Sequence, residues 1–132
     1  MNEISFTVEG EVIPKGRPRM TRSGRVYTPK RTKDYEMKVK LAAKRAFVGK
    51  SVIEGPVFVE LIIFRKIPEA KVGKGLEGKF CDVGADIDNC QKSIFDGVNG
   101  SGIWVDDRQV AMVTAEKRWG VESKLIAVIG WE

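Results

Sequence analysis

Ile4-Ser5-Phe6-Thr7-Val8 alternates apolar and polar residues, the period of a strand with one buried face. The pattern then breaks. Gly10 to Arg31 is rich in Pro, Gly, Arg and Lys, with Pro14, Pro18 and Pro29 as breakers, and reads as a long irregular segment. Helical spacing follows: Tyr35, Val39, Ala42, Ala43 and Ala46 share one face. This predicts a helix from Lys33 to about Phe47, with Thr32 as N-cap, Asp34 and Glu36 in the first turn and Gly49 as the stop. Pro56 to Lys66 is dense in Val, Ile and Phe and predicts a well-buried strand. Glu69 to Gly84 is a second, glycine-rich loop. A second helix is expected from Asp86–Asp88 to about Val98, because Ile87, Cys90, Ile94, Phe95 and Val98 make one apolar stripe. Gly97, Gly100 and Gly102 predict a turn, and Ile103 to Val105 a short strand or bridge. Gln109–Trp119 and Lys124–Trp131 predict two strands joined as a hairpin through Gly120-Val121-Glu122-Ser123.

The order β-α-β-α-β-β predicts an α+β fold of two layers, with both helices packed on one face of a mixed sheet. No repeat or linker divides the 132 residues, so residues 1–132 form a single domain. The longest apolar run, Leu61-Ile62-Ile63-Phe64, falls far short of the ~20 residues that cross a bilayer. The N-terminus has no basic stretch leading into an apolar one. A cytoplasmic protein without a membrane partner is expected. Cys81 and Cys90 lack C-x-x-C spacing and read as ordinary thiols of a reducing compartment.

Charge sharpens this picture. The chain has 23 Lys and Arg against 18 Asp and Glu, a net charge of +5. Eight of the basic residues (Lys15, Arg17, Arg19, Arg22, Arg25, Lys30, Arg31 and Lys33) fall between positions 15 and 33, with no acid among them. Removing those eight leaves 15 basic against 18 acidic residues, a net of −3. The basicity is therefore one segment, either a solvated loop or the footprint of a polyanion. Tyr27 lies within it and can stack or donate to phosphate.

The chain contains no histidine, which excludes Ser-His and Cys-His nucleophile pairs and His-ligated zinc. What remains is carboxylate. Asp86 and Asp88 stand in Asp86-Ile87-Asp88-Asn89-Cys90-Gln91-Lys92, and Asp106 and Asp107 in Trp104-Val105-Asp106-Asp107. Either pair alone is accounted for by helix capping or turn chemistry. Together they suggest a site, if the turn after the second helix returns Asp106 and Asp107 towards Asp86 and Asp88, though spacing does not choose between Asp106 and Asp107 as the third acid. Three like charges in one place need a cation, and oxygen ligands suit Mg2+. Divalent cations also activate water for phosphodiester hydrolysis, so no histidine base is required. The segment is not an EF-hand, since Gln91 stands where that loop needs Gly. Lys92 is i+4 from Asp88, which suits either a surface ion pair or a phosphate contact. Neither glycine loop has P-loop spacing, so no nucleotide cofactor is expected.

The ordered set Asp86-Ile87-Asp88-Asn89-x-x-Lys92, Phe95-Asp96-Gly97 and Ile103-Trp104-Val105-Asp106-Asp107-x-Gln109-Val110 resembles the RusA family of Holliday junction resolvases. The likeness extends more loosely to Lys15–Thr32 and to the C-terminal strand. These are small endodeoxyribonucleases, often encoded by phage or prophage. The resemblance implies a homodimer that resolves four-way DNA junctions by paired symmetric nicks with Mg2+ or Mn2+, in recombination and repair. It assigns Asp86, Asp88 and Asp107 as metal ligands and Lys92 as a catalytic or phosphate-contacting cation. Asp106 is left as a turn or supporting residue. The DNA-binding set is then Lys15, Arg17, Arg19, Arg22, Arg25, Lys30 and Arg31. One departure is Ala85, where members often carry a basic residue. The competing readings are a DNA-binding module without catalysis and a metal-dependent nuclease for other branched DNA.

Overall fold

A computed structural model describes all 132 residues. In chain order the elements are β1 (Asn2–Glu9), β2 (Arg19–Met20), β3 (Val26–Tyr27), α1 (Lys30–Ala46), β4 (Val57–Lys66), α2 (Ile87–Val98), β5 (Val110–Gly120) and β6 (Lys124–Trp131). Four strands form a mixed sheet in the order β1-β6-β4-β5, with β4 and β5 parallel and the other pairings antiparallel. The two helices cover one face. Tyr35, Val39 and Ala43 of α1 and Cys90, Ile94 and Val98 of α2 share a core with Val57, Val59, Leu61 and Ile63 of β4. The α+β, two-layer expectation holds.

Four details differ from the sequence reading. The last two strands are not a hairpin: β4 lies between β5 and β6 and pairs with both. β4 is followed by the α2 crossover, which carries the chain back to the start of β4 and lays β5 parallel beside it. Gly120 to Ser123 then bridges the end of β4, where Ile67 N donates to Gly120 O and Lys66 N to Ser123 Oγ, each at 3.0 Å. β4 is also buried on one face only, since Phe58, Ile62 and Phe64 remain half-exposed on the side the helices do not cover.

The third difference is the start of α1. It begins at Lys30 after Pro29, and Thr32 lies inside it rather than capping it. The buried Thr32 hydroxyl accepts from Gly16 N (3.1 Å) and faces Pro14 O (3.3 Å), so it ties down the root of the basic segment. The fourth is Gly97, which sits in α2 and not in a turn. A Cβ there would fall 2.6 Å from Val39 Cβ and 2.8 Å from Glu36 O, so its lack of a side chain sets how closely the helices pack.

Tyr35 is 2 % exposed and its hydroxyl has no hydrogen-bond partner. Burial, then the neighbouring Cys90, pushes its phenol above the ordinary range. A buried hydroxyl left unpaired is unfavourable by about 1–3 kcal/mol. Tyr35→Phe is therefore expected to match or exceed wild-type stability, by up to about 1 kcal/mol in urea unfolding. A clear loss of stability would show that the hydroxyl is paired.

Candidate active site

The loop ahead of α2 is fixed on the outer side of β5. Cys81 N donates to Lys117 O and Trp119 N to Lys79 O, each at 2.9 Å. The Lys117 ammonium, half-buried on β5, donates to Val83 O and Ala85 O, both at 3.0 Å. It thereby holds the backbone that leads into Asp86. Asp86 takes the N-cap position of α2, yet its side chain accepts no capping hydrogen bond. Its carboxylate is therefore not spent on the helix end. Asp86 and Asp88 are both exposed. Beneath them the Cys90 thiol is pushed up to about 11, first by burial, with Lys117 opposing and Asp86 and Asp88 adding.

Asp107 is held at the other end of α2. Asn99, the C-cap residue, donates from Nδ2 to Asp107 Oδ2 (3.1 Å) and accepts at Oδ1 from Trp104 Nε1 (2.7 Å). Because the indole is only a donor, it fixes the Asn99 amide with its NH2 towards Asp107. Asp106 has the separate task of capping the 3-10 turn Asp107–Gln109, accepting from Arg108 N at 2.8 Å. Gln109 completes the turn, accepting from Val105 N (2.7 Å) and Asp106 N (3.1 Å) while donating to Ile53 O and Gly55 O.

The expected convergence of the three acids does not occur within one chain. Asn99 lies thirteen positions after Asp86 along α2. At the helical rise per residue that is about 20 Å, far beyond what one or two cations span. No three acidic or thiol side chains meet to hold a metal. The crossover that makes β5 parallel to β4 is the cause, since it places α2 lengthwise between Asp86 and Asp107.

The basic segment is a two-stranded ribbon of β2 and β3, turned by Thr21–Gly24. Its root is fastened to α2, where Lys15 N donates to Asn89 O (2.8 Å) and Ser93 Oγ to Ile13 O (2.6 Å). The ribbon therefore rises beside the turn of α2 that carries Asp88 and Lys92. Arg17, Arg19, Arg22 and Arg25 are exposed and form no ion pair. Lys15 differs: its ammonium lies 2.8 Å from both Glu36 and Asp96 and is 24 % exposed. Burial disfavours its charge, but the bonds to Asp96 and Glu36 outweigh this and raise its pKa. It clamps the ribbon to the helices and is not free for phosphate. Lys30 pairs with Asp34 and Arg31 with Glu11, both at the exposed surface, where such pairs open readily. Lys92 is exposed and has no ion pair with Asp88, so the surface-pair reading for it is not realised.

Three residues here had no distinct signal in the sequence. Asn99 and Lys117 act through bonds that only the fold creates. Arg65, at the end of β4, places its guanidinium where a side chain at Gly84 would stand. It supplies a cation beside the Asp86 segment, where Ala85 has none.

A family model described as "Endodeoxyribonuclease RusA" matches residues 9–129, nearly the whole chain. The chain belongs to the RusA endodeoxyribonuclease family. That match spans the basic ribbon, α2 and the Asp107 turn together. A relative of this chain, "Uncharacterized protein YqaN" of Bacillus subtilis (strain 168), is 29 % identical over 139 residues, covering 98 % of this chain and 96 % of that protein. Family membership makes nuclease activity on DNA the function class, and the chain has no helix long and apolar enough to cross a membrane.

Proposed function

We propose that this protein is a Mg2+- or Mn2+-dependent endonuclease that resolves four-way DNA junctions by paired nicks, acting as a homodimer. The observation that carries this reading is the placement of two uncapped, exposed carboxylates, Asp86 and Asp88, beside a ribbon of four unpaired arginines in a RusA-family chain. Both are hard oxygen donors, the chemistry a divalent cation requires. When bound, such a cation lowers the pKa of water and offsets charge on the phosphate.

The chain's own residues divide the remaining work. Asp86 and Asp88 supply one side of the cation site. Asp107, oriented by Asn99, supplies the other side from a second copy of the chain, because its own copy holds it about 20 Å away. Lys92 and Arg65 meet the negative oxygens of the scissile phosphate. The ribbon arginines grip the flanking backbone. Two copies related by a two-fold axis give two equivalent sites, matching the two strands of a symmetric junction.

The test is a synthetic four-way junction with Mg2+. Wild type is expected to make paired nicks, and Asp86→Asn and Asp107→Asn to bind the junction but cut roughly 10³-fold more slowly or not at all. Binding without cutting by wild type, with Mg2+ and with Mn2+, would establish a binding module instead. Equal cutting of flaps or forks would make the protein a broader branched-DNA nuclease.

A further inference from the structure

Tyr27 stands among the ribbon cations with its ring free. It is 41 % exposed, and no other ring or cation lies against it. The pairing of β2 with β3 sets Arg19 directly opposite Tyr27, so the two side chains leave the same face of the ribbon. Thr21 and Arg25 continue the ladder, with Thr21 N donating to Arg25 O (2.8 Å) and Arg25 N to Thr21 Oγ1 (3.1 Å). A cleft of about 530 Å³ opens beside Tyr27, lined also by Pro18, Thr21, Arg25, Thr28 and Lys33. That volume lies within the roughly 300–1,000 Å³ of clefts that take small ligands. No acid lines it, and neither Arg25 nor Lys33 forms an ion pair. Pro18 and Pro29 hold the backbone on either side of the ribbon at fixed φ, while Thr32 and Lys15 fasten its root. Little ordering is therefore left for a ligand to impose.

The cleft offers two kinds of contact. Its cations and hydroxyls suit phosphate, and the open ring suits the face of a nucleobase. Within a duplex those faces are covered by neighbouring bases, and only the edges are open in the grooves. A tyrosine ring can stack only on a base that has left the stack. We propose that the Tyr27 cleft is a subsite for one unpaired nucleotide of branched DNA. The base stacks on Tyr27, its phosphate lies between Arg25 and Lys33, and the Thr21 and Thr28 hydroxyls donate to the phosphate oxygens. The proposal rests on the reading of the protein as a junction nuclease and adds what arginines alone do not supply. Phosphates are alike on paired and branched DNA, so contacts to them carry no preference for a branch point; a stacked, unpaired base does. The root of the ribbon is bonded to Asn89, next to Asp88, so a nucleotide held here also positions its strand relative to the proposed cation site.

The test compares a labelled duplex carrying one unpaired thymine with the same duplex fully paired. Binding is read by fluorescence anisotropy without divalent cation, so that nothing is cut. Wild type is expected to bind the bulged duplex about 10-fold more tightly, the scale of one base stacked on an aromatic ring. Tyr27→Ala should bring the bulged duplex down to the paired value and leave paired binding within about twofold. Tyr27→Phe keeps the ring and should keep the preference. Arg25→Ala should weaken both duplexes and lower the salt slope by about one. Equal affinity of wild type for the two duplexes would overturn the subsite. So would equal weakening of both by Tyr27→Ala, or a Tyr27→Phe protein that behaves like Tyr27→Ala, since the hydroxyl and not the ring would then be the contact. A Tyr27-dependent preference in a protein that cuts no junction would leave the subsite standing and remove the nuclease reading.

Discussion

Asp86→Asn and Asp107→Asn, each inactive alone, will regain activity when mixed. If each site takes Asp86 and Asp88 from one copy and Asp107 from the other, a mixed dimer holds one site with both substitutions and one with neither. Random exchange at equal amounts makes half of the dimers mixed, so about a quarter of wild-type sites return. The products should be single nicks, because each mixed dimer keeps one working centre. Subunit exchange by brief dilution, then a nicking assay on a four-way junction, measures this. A mixture as inactive as its parts would show that each site lies within one chain. The substitutions are conservative, Asp86 is exposed and Asp107 only half-buried, so they remove charge without disturbing the core.

The second large effect is on DNA affinity. Replacing Arg17, Arg19, Arg22 and Arg25 together with Ala should weaken junction binding roughly 10²–10³-fold at low salt. It should also flatten the plot of log affinity against log salt by about 3–4, since each phosphate contact adds close to one to the slope. Lys15→Met should leave that slope unchanged while lowering stability, because its ammonium is committed to Glu36 and Asp96. The Lys15 contribution has a definite pH window. A raised pKa means that the charged form is favoured by folding, so the stabilisation is full at neutral pH and below. It is lost only as pH rises past the ordinary lysine value of 10.5 and through the higher folded value. Fluorescence anisotropy across a salt series, with thermal unfolding of each variant, separates the two roles. An unchanged slope in the fourfold variant would remove the ribbon from the DNA interface.

Lys15 also shows where sequence reading stopped. It stands first in a run of eight cations, and nothing local distinguishes it from Arg17. What sets it apart is Asp96, 81 positions away, which α2 brings to it. Thr32 is a similar case. Its type suits an N-cap, but the hydroxyl found longer-range partners at Pro14 and Gly16, and Pro29 set the helix start one turn earlier. Gly97 looked like punctuation because glycine usually is; only the approach of Val39 reveals it as a packing residue.

The sequence by itself determined the elements and the chemistry. Alternation, the density of β-forming residues and period-3.6 stripes placed all four sheet strands and both helices, because these signals depend on local spacing and residue type. The absence of histidine and the ordered Asp86, Asp88, Lys92 and Asp107 set the family and the candidate ligands, because residue type limits chemistry wherever the residue ends up. The tertiary structure alone decided which strand lies between which, and thus that Asp107 stands at the far end of α2 from Asp86. The physical reason is that strand order and site assembly depend on contacts between residues distant in sequence. A parallel crossover that lays a twelve-residue helix between the two halves of a site has no local signature. The fold sets Asp86 and Asp88 at one end of α2 and Asp107 at the other, so one chain does not bring the three candidate ligands together.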